Sequence, residues 1–214
     1  MDKLTYSSDT TAHVPGADLS STRSGVSATG NSTAGYFGGG YDGSGYYSTM
    51  DKCTYSSDTT AEVPGAPISQ TRRYGAATGN SSSGYFGGGL VWPNMYSTMD
   101  KLSYAEETTA EVPGAALSLA RYGVSATSPR ANALPTTLAP PSTRFSDGLT
   151  EFVRGGYFAG DYGGYNTSID KVVYSSDTTA AVPGAALSGP RQQHSGASAK
   201  ANALPMLEPP TATP

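Results

Sequence analysis

Apolar and polar positions alternate along this chain with a period of two, and no stretch carries the 3.6-residue stripe of a helix. From Met99 onward the pattern puts Met99, Lys101 and Ser103 on one side and Asp100, Leu102 and Tyr104 on the other. The side carrying Leu and Tyr is expected to pack inward and the side carrying Lys to meet water. Upstream, residues 72–78 (RRYGAAT), a Gly79-Asn80 turn and Gly84-Tyr85-Phe86-Gly87-Gly88-Gly89 read as a hairpin of two inner strands. In the neighbouring unit Ser57-Asp58-Thr59-Thr60 reads as a turn, with Asp58 bonding backbone N–H groups two residues on. A short outer strand, Glu62-Val63-Pro64, follows, where proline is tolerated because an edge leaves N–H groups unpaired.

The same phrase, D-K-x-x-Y, then S-S-D-T-T-A (A-E-E-T-T-A in the third copy), V-P-G-A and a basic ending, starts at Met1, Met50, Met99 and Ile169, so its spacing is 49, 49 and 70 residues. A period near 50 matches a four-stranded propeller blade better than a helical or leucine-rich repeat. The expected fold is therefore all-β, with three complete four-stranded units at about 23–63, 72–112 and 121–182. A composite unit would join 1–14 to 191–199 and lack one inner strand, since the Tyr-Phe-Gly strand occurs three times against four copies of the phrase. That mismatch leaves a strained ring, an oligomer that pools units, an open arc with exposed edges, or a fragment of a longer frame as the alternatives.

The third unit is lengthened by a Pro- and Thr-rich insertion at 128–154, with 28 residues between Thr127 and Gly156 where the second unit has five between Thr78 and Gly84. Its Ala131-Asn132-Ala133-Leu134-Pro135 returns as Ala201-Asn202-Ala203-Leu204-Pro205 in the tail, 199–214. Both are expected to be extended segments that cover a blade edge. The repeats thus form one domain over 1–198.

An Arg before the first strand (Arg72), the Thr78-Gly79-Asn80 turn, Tyr85 followed by Gly88-Gly89, a variable loop 90–97, Tyr104 and the polar turn Glu106-Glu107-Thr108 together resemble the kelch repeat of β-propellers. The chain is also similar to Gly- and Tyr-rich propeller-type repeats in structural proteins of marine phages. The resemblance covers nearly all of the chain outside the Pro-rich segments. It departs at the outer strand, where kelch repeats carry Trp and this chain has His13, Glu62, Glu111 and Ala181. What the resemblance implies is a kelch-like propeller of three complete blades and one incomplete composite blade, working as a binding or structural part of a virion or cell surface.

Charge and chemistry narrow this further. A formal net charge of −4, with 13 basic residues scattered along the repeats, offers no cationic stripe for nucleic acid. No run reaches the length of a membrane-spanning helix, and the first residues lack the charged-then-apolar order of a secretory signal, so neither membrane insertion nor export is expected. The lone Cys53 takes the place of Leu4, Leu102 and Val172 and reads as a buried strand residue. His13 and His194 lie far apart, so neither a metal nor another cofactor is expected, and no serine elbow or phosphate loop is present. Catalysis is not expected. Because they recur in every unit, the series Asp2, Asp51, Asp100, Asp170 and Arg23, Arg72, Arg121, Arg191 read as framework, the Asp residues pairing across strands or capping turns and the Arg residues bonding backbone carbonyls. The sequons at Asn31, Asn80 and Asn166 read as turns before they read as glycan acceptors.

What differs between units is the loop after the glycine-rich strand: YDGSGYYS from Tyr41, LVWPNMYS from Leu90 and DYGGYNTS from Asp161. Gathered on one face, Tyr41, Tyr46, Tyr47, Trp92, Tyr96, Tyr162 and Tyr165, edged by Asp42, Asn94 and Asn166, would form an aromatic surface. Stacking rings with small polar groups suit a glycan or protein partner. Homo-oligomers through incomplete blade edges are the competing expectation.

Overall fold

The computed structural model describes residues 1–5, 7–128, 155–160 and 167–189. The fold is all-β. A two-stranded hairpin, β1 (Asp2–Thr5) and β2 (Thr10–His13), precedes three four-stranded antiparallel sheets. The first sheet runs β3 (Ser27–Gly30), β4 (Ala34–Gly38), β5 (Met50–Thr54), β6 (Thr59–Glu62) in order. The second is formed by β7 (Ala76–Gly79), β8 (Ser83–Gly87), β11 (Met99–Ser103) and β12 (Thr108–Glu111), with a small hairpin of β9 (Leu90–Val91) and β10 (Asn94–Met95) in the loop between β8 and β11. The third is β13 (Ser125–Thr127), β14 (Gly155–Ala159), β15 (Ile169–Val173) and β16 (Thr178–Ala181). Each sheet is thus one copy of the repeat, as the alternation and its spacing predict. The proposed junction of 1–14 with 191–199, nearly all of the insertion and the 199–214 tail lie outside the described residues.

Local chemistry sets the turns. The Asn80 side-chain oxygen accepts from the Ser82 and Ser83 backbone N–H groups, each at 2.8 Å, and Asn31 does the same for Thr33 and Ala34. Both side-chain oxygens are therefore engaged in closing their own hairpins, which is the turn role expected of those asparagines. The second repeated turn works differently from the sequence expectation. Asp58 and its equivalents Asp9, Glu107 and Asp177 sit at φ of 50–52°, and the Asp58 carboxylate bonds Lys3 of the preceding repeat at 2.6 Å. The short bond inside the turn links Ser57 and Thr59 hydroxyls at 2.7 Å. The outer strand also begins earlier than expected, at the first Thr of T-T-A. It ends before Val-Pro, and the Pro-Gly-Ala that follows coils into a 3-10 turn at Pro15–Ala17, Pro113–Ala115 and Pro183–Ala185.

Neighbouring sheets stack directly through their first strands, β3 against β7 and β8, and β7 against β13 and β14. At the outer strands the 3-10 turn of the preceding repeat fills the space, Pro15–Ala17 against β6 and Pro113–Ala115 against β16. There Thr60 and Thr179 hydroxyls donate to the Ala17 and Ala115 carbonyls at 2.8 and 2.7 Å. Two cores result. Tyr36, Met50, Ile68, Phe86, Leu102 and Tyr104 pack between the first two sheets, and Tyr85, Met99, Leu117, Phe158, Val172 and Tyr174 between the second and third. Successive residues of one strand, Tyr85 and Phe86, therefore serve opposite cores, so the middle sheet is covered on both faces. The Lys101 side does not face water alone: Met99 on it is fully buried, and the partly exposed ammonium lies 5.6 Å from the Tyr85 ring centroid and reaches the next sheet. Gly87 permits the close packing of Phe158 from the third sheet, since a Cβ there would sit 3.0 Å from Phe158 Cε1. Cys53 is buried, as its repeat position predicts.

Candidate functional site

The recurring charges are framework, with a pairing that differs from expectation. Arg23 Nη2 lies 2.5 Å from Asp51 and Arg72 Nη2 2.6 Å from Asp100, and Arg121 pairs with Asp170, all of these side chains being almost wholly buried. The arginines were expected on backbone carbonyls. Those are secondary contacts, Arg72 to Phe86 O at 3.2 Å and Arg121 to Ser168 O at 3.1 Å. A carboxylate at the start of the third strand is the buried guanidinium's first partner because neither charge tolerates burial alone. A second series joins sheets: Lys3 to Asp58, Lys52 to Glu107 and Lys101 to Asp177. Tyr36 and Tyr85 hydroxyls donate to Glu107 and Asp177, and burial first, then those carboxylates, pushes both phenols well above their ordinary range.

Against this uniform frame the variable loops converge. Tyr41 exchanges backbone hydrogen bonds with Ser24 at 2.8 and 3.0 Å, and its ring lies 4.8 Å from that of Tyr46. The Asp42 carboxylate accepts from Tyr47 Oη at 2.6 Å and from the Ser44 and Gly45 N–H groups at 2.7 and 2.8 Å. The Tyr47 bond foremost, with the two backbone donors, pulls Asp42 down to about 2, and the same bond raises Tyr47. The second loop folds as β9 and β10 around Trp92-Pro93, anchored by buried Leu90. Trp92 is 71% exposed, and its backbone N–H donates to Tyr46 Oη at 3.1 Å, which ties the two loops together.

Of the residues singled out from the sequence, Tyr41, Asp42, Tyr46, Tyr47 and Trp92 thus belong to one surface. Asn94 is exposed on β10. Tyr96 is half-buried and, like Tyr47, uses its carbonyl to accept from the next repeat's arginine, Arg121 N at 3.1 Å and Arg72 N at 3.1 Å. Tyr162, Tyr165 and Asn166 lie outside the described residues.

The residue that sequence reasoning missed is Arg73. Its guanidinium carbon lies 4.5 Å from the Tyr41 ring centroid, 4.7 Å from Tyr74 and 5.6 Å from Tyr46. Its backbone is pinned to Leu90 by bonds of 3.1 and 2.9 Å. Tyr74 takes a φ of 59° where the equivalent Gly25 and Gly123 have 68° and 64°, a left-handed backbone that a Tyr rarely adopts. The available signal was a break in the repeat, the doubled Arg72-Arg73 followed by Tyr where other units place Gly.

Among the described residues, no group of three or more His, Cys, Asp or Glu side chains comes together to hold a metal ion, and no helix is long and apolar enough to cross a membrane. His13 lies 3.5 Å from Asp2 and 3.6 Å from Asp18 on the surface, and His194 lies outside the described residues. No family model matches the chain, and no curated protein matches it.

Proposed function

We propose that the chain is a non-catalytic binding module of the kelch-like propeller kind, which presents its loop surface around Tyr41, Tyr46, Trp92 and Arg73 to a glycan or protein partner on a virion or cell surface. The observation that carries this reading is the contrast between frame and loops. Charged pairs, turns and cores repeat from sheet to sheet, whereas the Tyr41–Tyr46 and Trp92 loops differ in sequence yet are joined by the bond from Trp92 N–H to Tyr46 Oη. Repetition serves stacking; a surface that breaks it and leaves an indole 71% exposed serves contact. Sheets that touch at their first strands, with the Pro113–Ala115 turn lying against the outer strand of the third sheet, support the propeller geometry. The test is a glycan array probed with the wild type and with Trp92→Ala and Tyr41→Ala. Wild-type signals that survive both substitutions would remove this surface as the site.

A second reading is favoured by β1. Among the described residues it is paired on one edge only, with β2, while β5, β11 and β15 are paired on both. Leu4 is 49% exposed where its equivalents Cys53, Leu102 and Val172 are 7% exposed or less. An assembly element would use such an edge to pair with another strand. Sedimentation equilibrium separates the readings, because a monomer at all concentrations excludes assembly between copies.

A further inference from the structure

We propose that Arg73 is an anion-binding centre within the aromatic loop surface and that it selects a carboxylate-bearing sugar, an inference that rests on the binding reading above. Six described cations each face a carboxylate: Lys3, Arg23, Lys52, Arg72, Lys101 and Arg121. Arg73 has no carboxylate partner among the described residues; its Nε is buried without a hydrogen-bond partner, as is that of the framework Arg23, so it is the missing carboxylate that sets Arg73 apart. It stands beside the framework Arg72, at the position that Ser24 and Tyr122 occupy in the other repeats. The charge is therefore not part of the repeated frame.

Its setting is preorganised. Three tyrosine rings surround the guanidinium at 4.5–5.6 Å, two backbone bonds to Leu90 fix its backbone, and Tyr46 links it to the exposed Trp92 loop. Little side-chain entropy is left to lose on binding, and a planar fork matches a carboxylate with two parallel bonds. The nearby Asp42 is engaged by Tyr47, Ser44 and Gly45 within its own loop. One cation bordered by ring faces suits a ligand with one charge per apolar-faced ring, as in a uronic or sialic acid. A polyanion such as nucleic acid would need several cations, and the chain's net charge of −4 opposes it.

The test is calorimetry of the full chain with the monosaccharide galacturonate and with its methyl ester, which keeps the ring and removes the charge. The acid should bind about tenfold tighter or better, the ratio that a charge-assisted bond supplies. Arg73→Gln should bring the two affinities together, Arg73→Lys should keep part of the difference, and Trp92→Ala should weaken both sugars alike. Equal wild-type affinity for acid and ester, with Trp92→Ala still weakening both, overturns the anion centre and leaves the aromatic surface standing. Binding untouched by Trp92→Ala overturns the surface itself. Binding of neither sugar, or tighter binding of a simple carboxylate such as acetate, overturns the saccharide assignment.

Discussion

Lys101 and Asp177 face each other across the junction of the second and third sheets, with the ammonium 2.8 and 2.7 Å from the two carboxylate oxygens and the Tyr85 hydroxyl 2.5 Å from one of them. Lys52, Glu107 and Tyr36 repeat the arrangement one junction earlier. Burial alone would raise the Asp177 carboxyl, but hydrogen bonds from Lys101 and Tyr85 outweigh it and hold the group below 3.8. A carboxyl lowered by folding contributes stability above its unfolded value and loses it as pH falls through the folded value. Asp177→Asn should therefore be less stable than the wild type at pH 7, by about 1 kcal/mol or less for so solvated a pair. The gap should close in strong acid. Urea denaturation at both pH values checks this, and a gap that persists unchanged in acid would contradict it.

The buried pair Arg72–Asp100 should behave in the opposite way to surface charge. Asp100→Leu or Arg72→Met alone strands a charge in a dry site and should cost about 3–5 kcal/mol, while the double replacement should recover most of the loss. Denaturant midpoints of the two singles and the double form the cycle. Additive losses would show that the two side chains act independently.

Much of this frame was legible in the sequence. The spacing of the D-K-x-x-Y phrase and the Gly79-Asn80 turn gave the strands and their order, because alternation and turn chemistry are local. The Arg–Asp pairing was not local: both series were visible, yet the partners stand 28 residues apart in the first two sheets and 49 in the third. That the pair survives the insertion shows the constraint lies in the sheet and not in the chain. Alternation at Met99–Tyr104 also reads as one dry face and one wet face, since a strand cannot reveal that a second sheet covers its other side. In the site, Tyr41, Asp42, Tyr46, Tyr47 and Trp92 were found as loop aromatics and their edge. Arg73 was missed because it precedes the first strand and looks like one more copy of a recurring arginine.

Gly88 joins the second sheet to the start of the third repeat. Its φ is 69°, and a Cβ would sit 2.8 Å from the Arg121 carbonyl oxygen, a backbone atom that cannot step aside. Gly88→Ala should lose about 1–3 kcal/mol through strain and overpacking. Gly45 has open space around it and no left-handed φ, so Gly45→Ala should fall within about 0.5 kcal/mol of the wild type. Thermal melts of the two variants distinguish the sites, and equal losses would deny the close approach at Gly88.

Asp42 offers a direct reading of the loop that carries Tyr41 and Tyr46. Its carboxyl is lowered to about 2 chiefly by the Tyr47 hydroxyl and then by the Gly45 and Ser44 N–H groups. Because the folded value is depressed, the loop's hydrogen bonds persist above 3.8 and are lost as pH falls toward 2. Tyr47→Phe deletes the largest contribution and leaves both backbone donors. The carboxyl should then rise toward 3.8 without reaching it. Carbon-13 NMR titration of Asp42 follows both proteins, and a wild-type midpoint near the ordinary aspartate value would mean that the loop is not closed by Asp42. If Tyr47→Phe shifts the midpoint while the Tyr41 and Tyr46 ring signals stay in place, the Tyr47 bond sets the charge on Asp42 and the rings hold the surface independently of it.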